Sequence, residues 1–105
     1  MIVRVDPDRA RVELVEVDLV RELTLVAPAG ATAESIAATI GRGSAAEDEH
    51  HVRLAASTII RLARMPSAEW VAAFRATLRS VEPMGWYDAE ADFVRLHIEP
   101  DASAR

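Results

Sequence analysis

The chain has 105 residues, of which half are hydrophobic and 28% are charged, so its composition is that of one globular domain, residues 1–105. It has no cysteine, and all twelve basic residues are arginine. These absences exclude disulfides, thiolate metal sites, cysteine nucleophiles and catalytic lysines. The formal net charge of −5 argues against partners that need a basic surface, namely nucleic acids and anionic membranes.

The sequence contains no apolar stretch that approaches the ~20 residues of a membrane-spanning helix. Its first residues carry charges where a signal peptide needs an apolar run. We therefore expect a cytoplasmic protein, and the absence of Lys, Asn and Gln beside abundant Ala and Arg is typical of a bacterial genome rich in G and C.

Residues 2–28 are predicted to form β-strands, because runs of β-branched and aliphatic residues are separated by turn-forming residues. The second run, Arg11 to Asp18, alternates imperfectly. Its apolar positions change face between Leu14 and Val15, which indicates either that both faces are partly buried or that the strand bulges there.

Two helices are expected next. The first covers residues 33–40, with Thr32 as its N-terminal cap and Gly41 as its stop. The second covers residues 45–64, because Ser44 to Glu47 has the spacing of a capping box and the apolar residues that follow fall on one broad helical arc. Leu54 does not fit this arc, since it lies on the polar side of the helix.

A third helix is predicted over residues 68–82, capped by Ser67. Beyond the turn at Pro83, residues 86–99 are predicted to form a hairpin or strand, because apolar and polar residues alternate from Val94 to Glu99. A helix over 89–97 is the alternative. Residues 100–105 are expected to be a frayed tail.

Together these elements predict an α+β fold. In this prediction, the N-terminal strands and the C-terminal strand form a small antiparallel sheet, which the two main helices, 45–64 and 68–82, cover on one face.

One candidate catalytic group lies on the last predicted strand. His97 shares a strand face with Arg95 and Glu99, so Glu99 could orient the imidazole as a general base while Arg95 holds an anionic substrate. An ordinary solvated sheet face with alternating charges explains the same spacing.

A second cluster contains the other two histidines. On a helix over 45–64, Glu47 would lie one turn from His50 and His51, a spacing at which these side chains can share a metal ion. Sites of this kind need a second such pair and two more glutamates, and nothing else in the sequence has that spacing, so we expect neither a metal nor a cofactor. The alternative interpretation is a helix cap followed by solvated histidines.

Three further residues are candidates for partner binding. Trp86 and Tyr87 are adjacent aromatics, which point to opposite sides of an extended chain, so that one can be buried and the other exposed. Leu54 would be an exposed leucine on its helix.

These observations predict a small, non-catalytic interaction or accessory protein that forms a homodimer or binds another protein. The breadth of the helical arc and the shift in the second strand both suggest that a second subunit covers apolar surface. One alternative is a cofactor-free enzyme of isomerase, cyclase or lyase type that uses histidine and arginine on a small anionic molecule. Another is a winged-helix DNA-binding regulator, which the acidic balance disfavours.

Overall fold

The computed structural model describes residues 1–100, and these residues form seven strands and three helices. Two short 3-10 turns lie between them: Pro7–Arg9 follows the first strand, and Glu82–Met84 follows the third helix. The strands are β1 Ile2–Asp6, β2 Arg11–Val15, β3 Thr24–Ala27, β4 Ser44–Asp48, β5 His51–Ala55, β6 Tyr87–Asp88 and β7 Phe93–Pro100, and the helices are α1 Ala33–Ile40, α2 Ala56–Leu62 and α3 Ala68–Val81.

The strands form one mixed sheet in the order β2-β1-β3-β7-β5-β4. β3 runs parallel to both β1 and β7, whereas the other pairs are antiparallel. The expected α+β content and the pairing of the last strand with the N-terminal strands are confirmed. The expectation of a small antiparallel sheet is wrong, because the chain returns from α3 through β6 so that β7 enters the centre of the sheet parallel to β3.

One face of the sheet forms the core. Side chains alternate along each strand, and the cross-strand registers place one set of alternating residues on the same face. These residues are almost entirely buried: Val3, Val5, Leu25, Ala27, Val52, Leu54, Val94 and Leu96. The buried side chains of the helices belong to the same apolar cluster, and they include Ile36 of α1, Ile59 of α2, and Phe74 and Leu78 of α3. The helices therefore lie on this face, which we call the covered face.

The predicted helix over 45–64 is wrong over most of its length. The segment forms the hairpin of β4 and β5, and only Ala56–Leu62 is helical. Val52 and Leu54 point to the same side of a strand, where both are fully buried. The strand period thus accounts for Leu54, which the helical period leaves on the polar side.

Ser44 is consequently a strand residue and caps no helix. Its hydroxyl donates to the backbone oxygens of Ala37 and Gly41 and so ties the end of α1 to the start of β4.

The shift of pattern between Leu14 and Val15 has a simpler cause than a bulge. β2 pairs with β1 in unbroken register and ends at Val15. Glu16 then adopts a left-handed φ of 54°, so the residues after it belong to a loop. Neither the shift nor the helical arc therefore requires a second subunit.

Several other boundaries agree with the sequence. α1 spans residues 33–40 and is capped by Thr32, and α3 begins at Ala68 behind Ser67. The strand expected at residues 93–99 is β7, and its partner in the predicted hairpin is β6, so the alternative helix over 89–97 is wrong. The expected tail begins inside β7 at Pro100, and its other residues lie outside the described part of the chain. None of the helices within residues 1–100 is long and apolar enough to cross a membrane.

Candidate functional site on the open face of the sheet

Within residues 1–100, no helix packs on the second face of the sheet, and we call it the open face. It carries the strand residues that alternate with the buried ones, and these are half-buried or exposed. The set consists of Ile2, Arg4, Asp6, Arg11, Glu13, Val15, Thr24, Val26, Ala45, His51, Arg53, Ala55, Phe93, Arg95, His97 and Glu99, with Glu47 and Asp48 at the bulge of β4.

Two of the three histidines meet on this face. His51 and His97 are direct cross-strand partners of β5 and β7, and their rings meet edge to face with centroids 5.1 Å apart. His50 lies in the β4–β5 turn, where its ring stacks near that of His97 at a centroid distance of 6.3 Å. The sequence places these residues in two separate clusters, and the sheet brings the clusters together.

Each of the paired histidines also contacts a carboxylate. The Nδ1 atom of His51 lies 2.9 Å from Asp48, and that of His97 lies 2.9 Å from Glu99. A carboxylate at Nδ1 favours the tautomer with its proton on that nitrogen and leaves Nε2 as the free nitrogen of each ring.

Asp48 also organises the turn itself. Its Oδ1 atom accepts a hydrogen bond of 2.8 Å from the backbone N–H of His50, as aspartates do in tight turns. This bond, with the hydrogen bond from His51, lowers the pKa of Asp48 to about 2. The carboxylate is therefore charged at neutral pH.

Arg95 occupies the centre of the same face. Its Nε atom lies 2.5 Å from Glu47 in an ion pair that lacks hydrogen-bond geometry, and its Nη2 atom lies 3.5 Å from Asp48. The guanidinium is thus held by two carboxylates of this chain. An anionic substrate would have to displace them before it could bind Arg95.

An aromatic residue continues the cluster along the sheet. The guanidinium of Arg53 lies over the ring of Phe93, 4.9 Å from its centroid, in a cation–π contact. Phe93 is half-buried, although it lies on the open face.

The cluster has the elements of acid–base chemistry but not the surroundings of a substrate site. The cavity of about 550 Å³ at this end of the sheet is lined by His50 and Glu49, but not by His51 or His97. Within residues 1–100, no three histidine or carboxylate side chains converge to hold a metal ion. Glu47, His50 and His51 lie on a strand bulge, a turn and a strand, so the helical spacing that would join them does not exist.

The residues predicted to bind a partner occupy three different environments. Leu54 is fully buried in the core, so it cannot contact a partner from the surface, because it belongs to a strand and not to a helix. Tyr87 is 8% exposed and Trp86 is 40% exposed. Of the two aromatics, Tyr87 is thus the buried one and Trp86 the accessible one.

A polar cluster that the sequence does not reveal fixes Tyr87. Its hydroxyl donates a short hydrogen bond to Asp92, which also binds the guanidinium of Arg75 at 2.7 Å. The bond to Asp92 and burial raise the pKa of Tyr87. Burial by itself would raise the pKa of Asp92, but the hydrogen bonds from Tyr87 and Arg75 outweigh it and lower that pKa. The cluster ties α3 to the β6–β7 turn, and its members are too far apart in sequence to form a recognisable motif.

Comparisons of this chain with protein-family models, with curated proteins and with solved structures find no significant match. The functional argument accordingly depends on the geometry described above.

Proposed function

We propose that this protein is a non-catalytic interaction module that works as a homodimer, with the open face of the sheet as its interface. The observation that carries the proposal is the one-sided architecture. Every described helix lies on the covered face, and the open face offers half-buried apolar side chains, among them Ile2, Val15, Val26 and Phe93, to another molecule.

The distribution of charge favours a second copy of this chain as the partner that binds the open face. The whole chain has a net charge of −5, which makes two copies repel each other. On the open face, however, four arginines stand among five carboxylates, so this surface is much closer to neutral. The ion pairs there join residues of different strands, Arg4 of β1 with Glu13 of β2 and Arg95 of β7 with Glu47 of β4, so cations and anions are interspersed on the face. A two-fold interface needs a self-complementary surface of this kind.

The experiment is to measure molecular mass by light scattering over a range of protein concentrations. We expect the wild-type protein to be a dimer at micromolar concentration. Val26→Glu, which places a charge in the middle of the open face, should yield a monomer. Ala72→Glu adds the same charge on the exposed side of α3 and should leave the dimer intact.

Circular dichroism of each variant establishes that it is folded. A monomeric wild-type protein, or a folded Val26→Glu variant that still forms dimers as the wild type does, would contradict the proposal.

Acid–base catalysis is the second candidate, and one observation favours it. His51 and His97 each have Nδ1 on a carboxylate, the arrangement in which catalytic histidines are oriented. A catalyst of this class would exchange the acidic C–H protons of a small oxo acid. Proton NMR of pyruvate in D₂O tests this. Faster exchange with wild-type protein than with His97→Gln supports catalysis, whereas equal exchange rates contradict it.

The geometry gives no such support to a winged helix. The segment that would supply its first helix is the β4–β5 hairpin. In addition, the β6–β7 turn that would form the wing is fixed to α3 by the contact between Asp92 and Arg75.

A further inference from the structure

A crevice opens on the covered face where β7 lacks a partner on one edge. β6 pairs with β7 only as far as Val94, and β3 joins the same edge from Ile98 onwards. The short stretch between them is flanked by neither strand. α3 and the loop of residues 16–23 lie on either side of this gap, and they enclose a cavity of about 170 Å³, which we call the α3 crevice.

The walls of the α3 crevice are held in place by contacts that are distant in sequence. The indole Nε1 of Trp70 donates to the backbone oxygen of Val17 at 2.6 Å. The terminal ammonium of Met1 donates to the backbone oxygen of Leu19 at 3.1 Å. The loop is therefore fixed against both α3 and β1. A site whose walls are already formed costs little to organise when a ligand binds.

The lining of the crevice is apolar apart from Thr77 and two arginines. Its apolar side chains include Leu23, Phe74, Leu78, Trp86 and Leu96. Among residues 1–100, the charged residues that line it are Arg21 and Arg95, and no carboxylate does. This combination complements a molecule with an apolar body and a negative charge.

The two arginines are not equally available to such a molecule. Arg95 is already held by Glu47 and Asp48 on the open face. Arg21 is exposed and has no ion pair or hydrogen bond among residues 1–100. It also lines a wider cavity, which continues from the crevice along α3 and shares Val20, Thr77 and Val81 with it. Arg21 thus stands where the narrow apolar crevice meets open solvent.

The size of the crevice limits the apolar part of the ligand. A cavity of about 150 Å³ lined by aliphatic and aromatic side chains holds one benzene molecule, and the α3 crevice is slightly larger at about 170 Å³. We propose that the α3 crevice binds a small monocarboxylic acid with one ring-sized apolar group, its ring against Leu23 and Trp86 and its carboxylate on Arg21. This binding does not depend on dimer formation.

The test is a titration of the uniformly ¹⁵N-labelled protein with phenylacetate, followed by NMR. Phenylacetate should shift the indole signal of Trp86 and the amide signals of Leu23 and Leu96, with little effect on β4. Phenylacetamide, which has the same shape without the charge, should bind about tenfold more weakly, because it lacks the charge-assisted hydrogen bond to Arg21. Acetate, which lacks the ring, should leave these signals unchanged.

Three variants locate the site. Arg21→Gln should weaken phenylacetate to the level of phenylacetamide. Arg79→Gln is the control, because it removes an exposed arginine of α3 that does not line the crevice. This variant should bind phenylacetate as the wild type does. Thr77→Phe fills the crevice from α3 and should abolish the binding of both compounds. Its amide spectrum shows whether it is folded.

Two results would overturn the proposal. One is a saturating phenylacetate titration that leaves the signals of Trp86 and Leu96 in place. The other is equal affinity for phenylacetate in the wild type and in Arg21→Gln, since the charge would then play no part.

Discussion

The two faces of the sheet carry the same strands but are built from different chemistry. On the covered face, aliphatic and aromatic side chains from strands and helices are buried together. On the open face, arginines and histidines pair with carboxylates of the same strand or of other strands, and apolar side chains are only half-buried. The stability of the fold therefore comes mainly from the covered face. This division agrees with the proposal that the open face serves in recognition.

The largest difference in stability between the two faces should appear when one phenylalanine on each face is replaced by alanine. Phe74 on α3 is fully buried, and Phe93 on β7 lies on the open face under Arg53. Phe74→Ala should lower the free energy of unfolding by about 3–5 kcal/mol, because it leaves a cavity in the core. Phe93→Ala should lower it by about 1 kcal/mol, through the lost cation–π contact and partial burial. Urea unfolding measures both, and equal losses would contradict the division between the faces.

Two glycines test how closely the backbone approaches the helices on the covered side. Both Gly41 and Gly43 have a φ of 85°, which strains any other residue. A Cβ atom on Gly43 would lie 2.1 Å from the hydroxyl of Thr58, whereas one on Gly41 would meet no atom within 4 Å. Gly41 also has a ψ of −136°, outside the left-handed helical region, so Gly41→Ala should cost about 1–3 kcal/mol from backbone strain alone.

Gly43→Ala should cost clearly more than Gly41→Ala, because Thr58 is buried and must move. Thermal unfolding of the two variants compares them directly. Similar melting temperatures would show that the turn before β4 does not pack closely on α2.

A smaller effect is expected at the polar cluster that ties α3 to the β6–β7 turn. Tyr87→Phe removes one hydrogen bond to Asp92 and keeps the buried ring. We expect a loss of about 1–2 kcal/mol in the free energy of unfolding, because the lost bond is made to a charged acceptor. If urea unfolding shows no change in Tyr87→Phe, the cluster does not contribute to stability.

The smallest effect should come from Asp48 on the open face, and it should depend on pH. The pKa of this carboxylate is about 2 in the folded protein, below the ordinary value of 3.8 for an aspartate. A group with a lowered folded pKa stabilises the native state above its unfolded pKa, and that contribution is lost as pH falls through the folded pKa. The stability contributed by the charge of Asp48 should thus be complete above pH ~4 and disappear towards pH ~2.

Asp48→Asn keeps an oxygen that can accept the hydrogen bond from the N–H of His50 but removes the charge. The difference in melting temperature between this variant and the wild type should shrink as the pH is lowered from about 4 to about 2. A difference that stays constant over this range would show that the charge has no role in the turn.

The sequence predicts local structure well in segments whose apolar residues fit only one period, either that of a helix or that of a strand. α1 and α3 begin at the predicted caps, Thr32 and Ser67, and β7 follows the alternation that begins at Val94. The β4–β5 hairpin is missed, because Ala, Glu and Arg in residues 45–64 satisfy a helical pattern as well as a strand pattern. Leu54, which the helix leaves exposed, is the residue that distinguishes the two patterns.

The candidate site is predictable only in its parts. Arg95, His97 and Glu99 share a face by strand alternation, as expected. That His51 lies opposite His97 depends on the register between β5 and β7, which are far apart in sequence. No local pattern specifies such a register, and the same holds for the gap beside β7 that creates the α3 crevice.

A pair of identical substitutions tests the central claim most directly, namely that one face of the sheet is covered and the other is open for self-association. The chain has no cysteine, so Val52→Cys on the covered face and Val26→Cys on the open face each introduce a single thiol. The rate of alkylation under native conditions is then measured in dilute and in concentrated protein.

We predict that the thiol at position 52 reacts slowly at both concentrations. The thiol at position 26 should react fast in dilute protein and more slowly in concentrated protein, as dimers cover the open face. Equal rates at the two positions, or a rate at position 26 that does not change with concentration, would contradict the account.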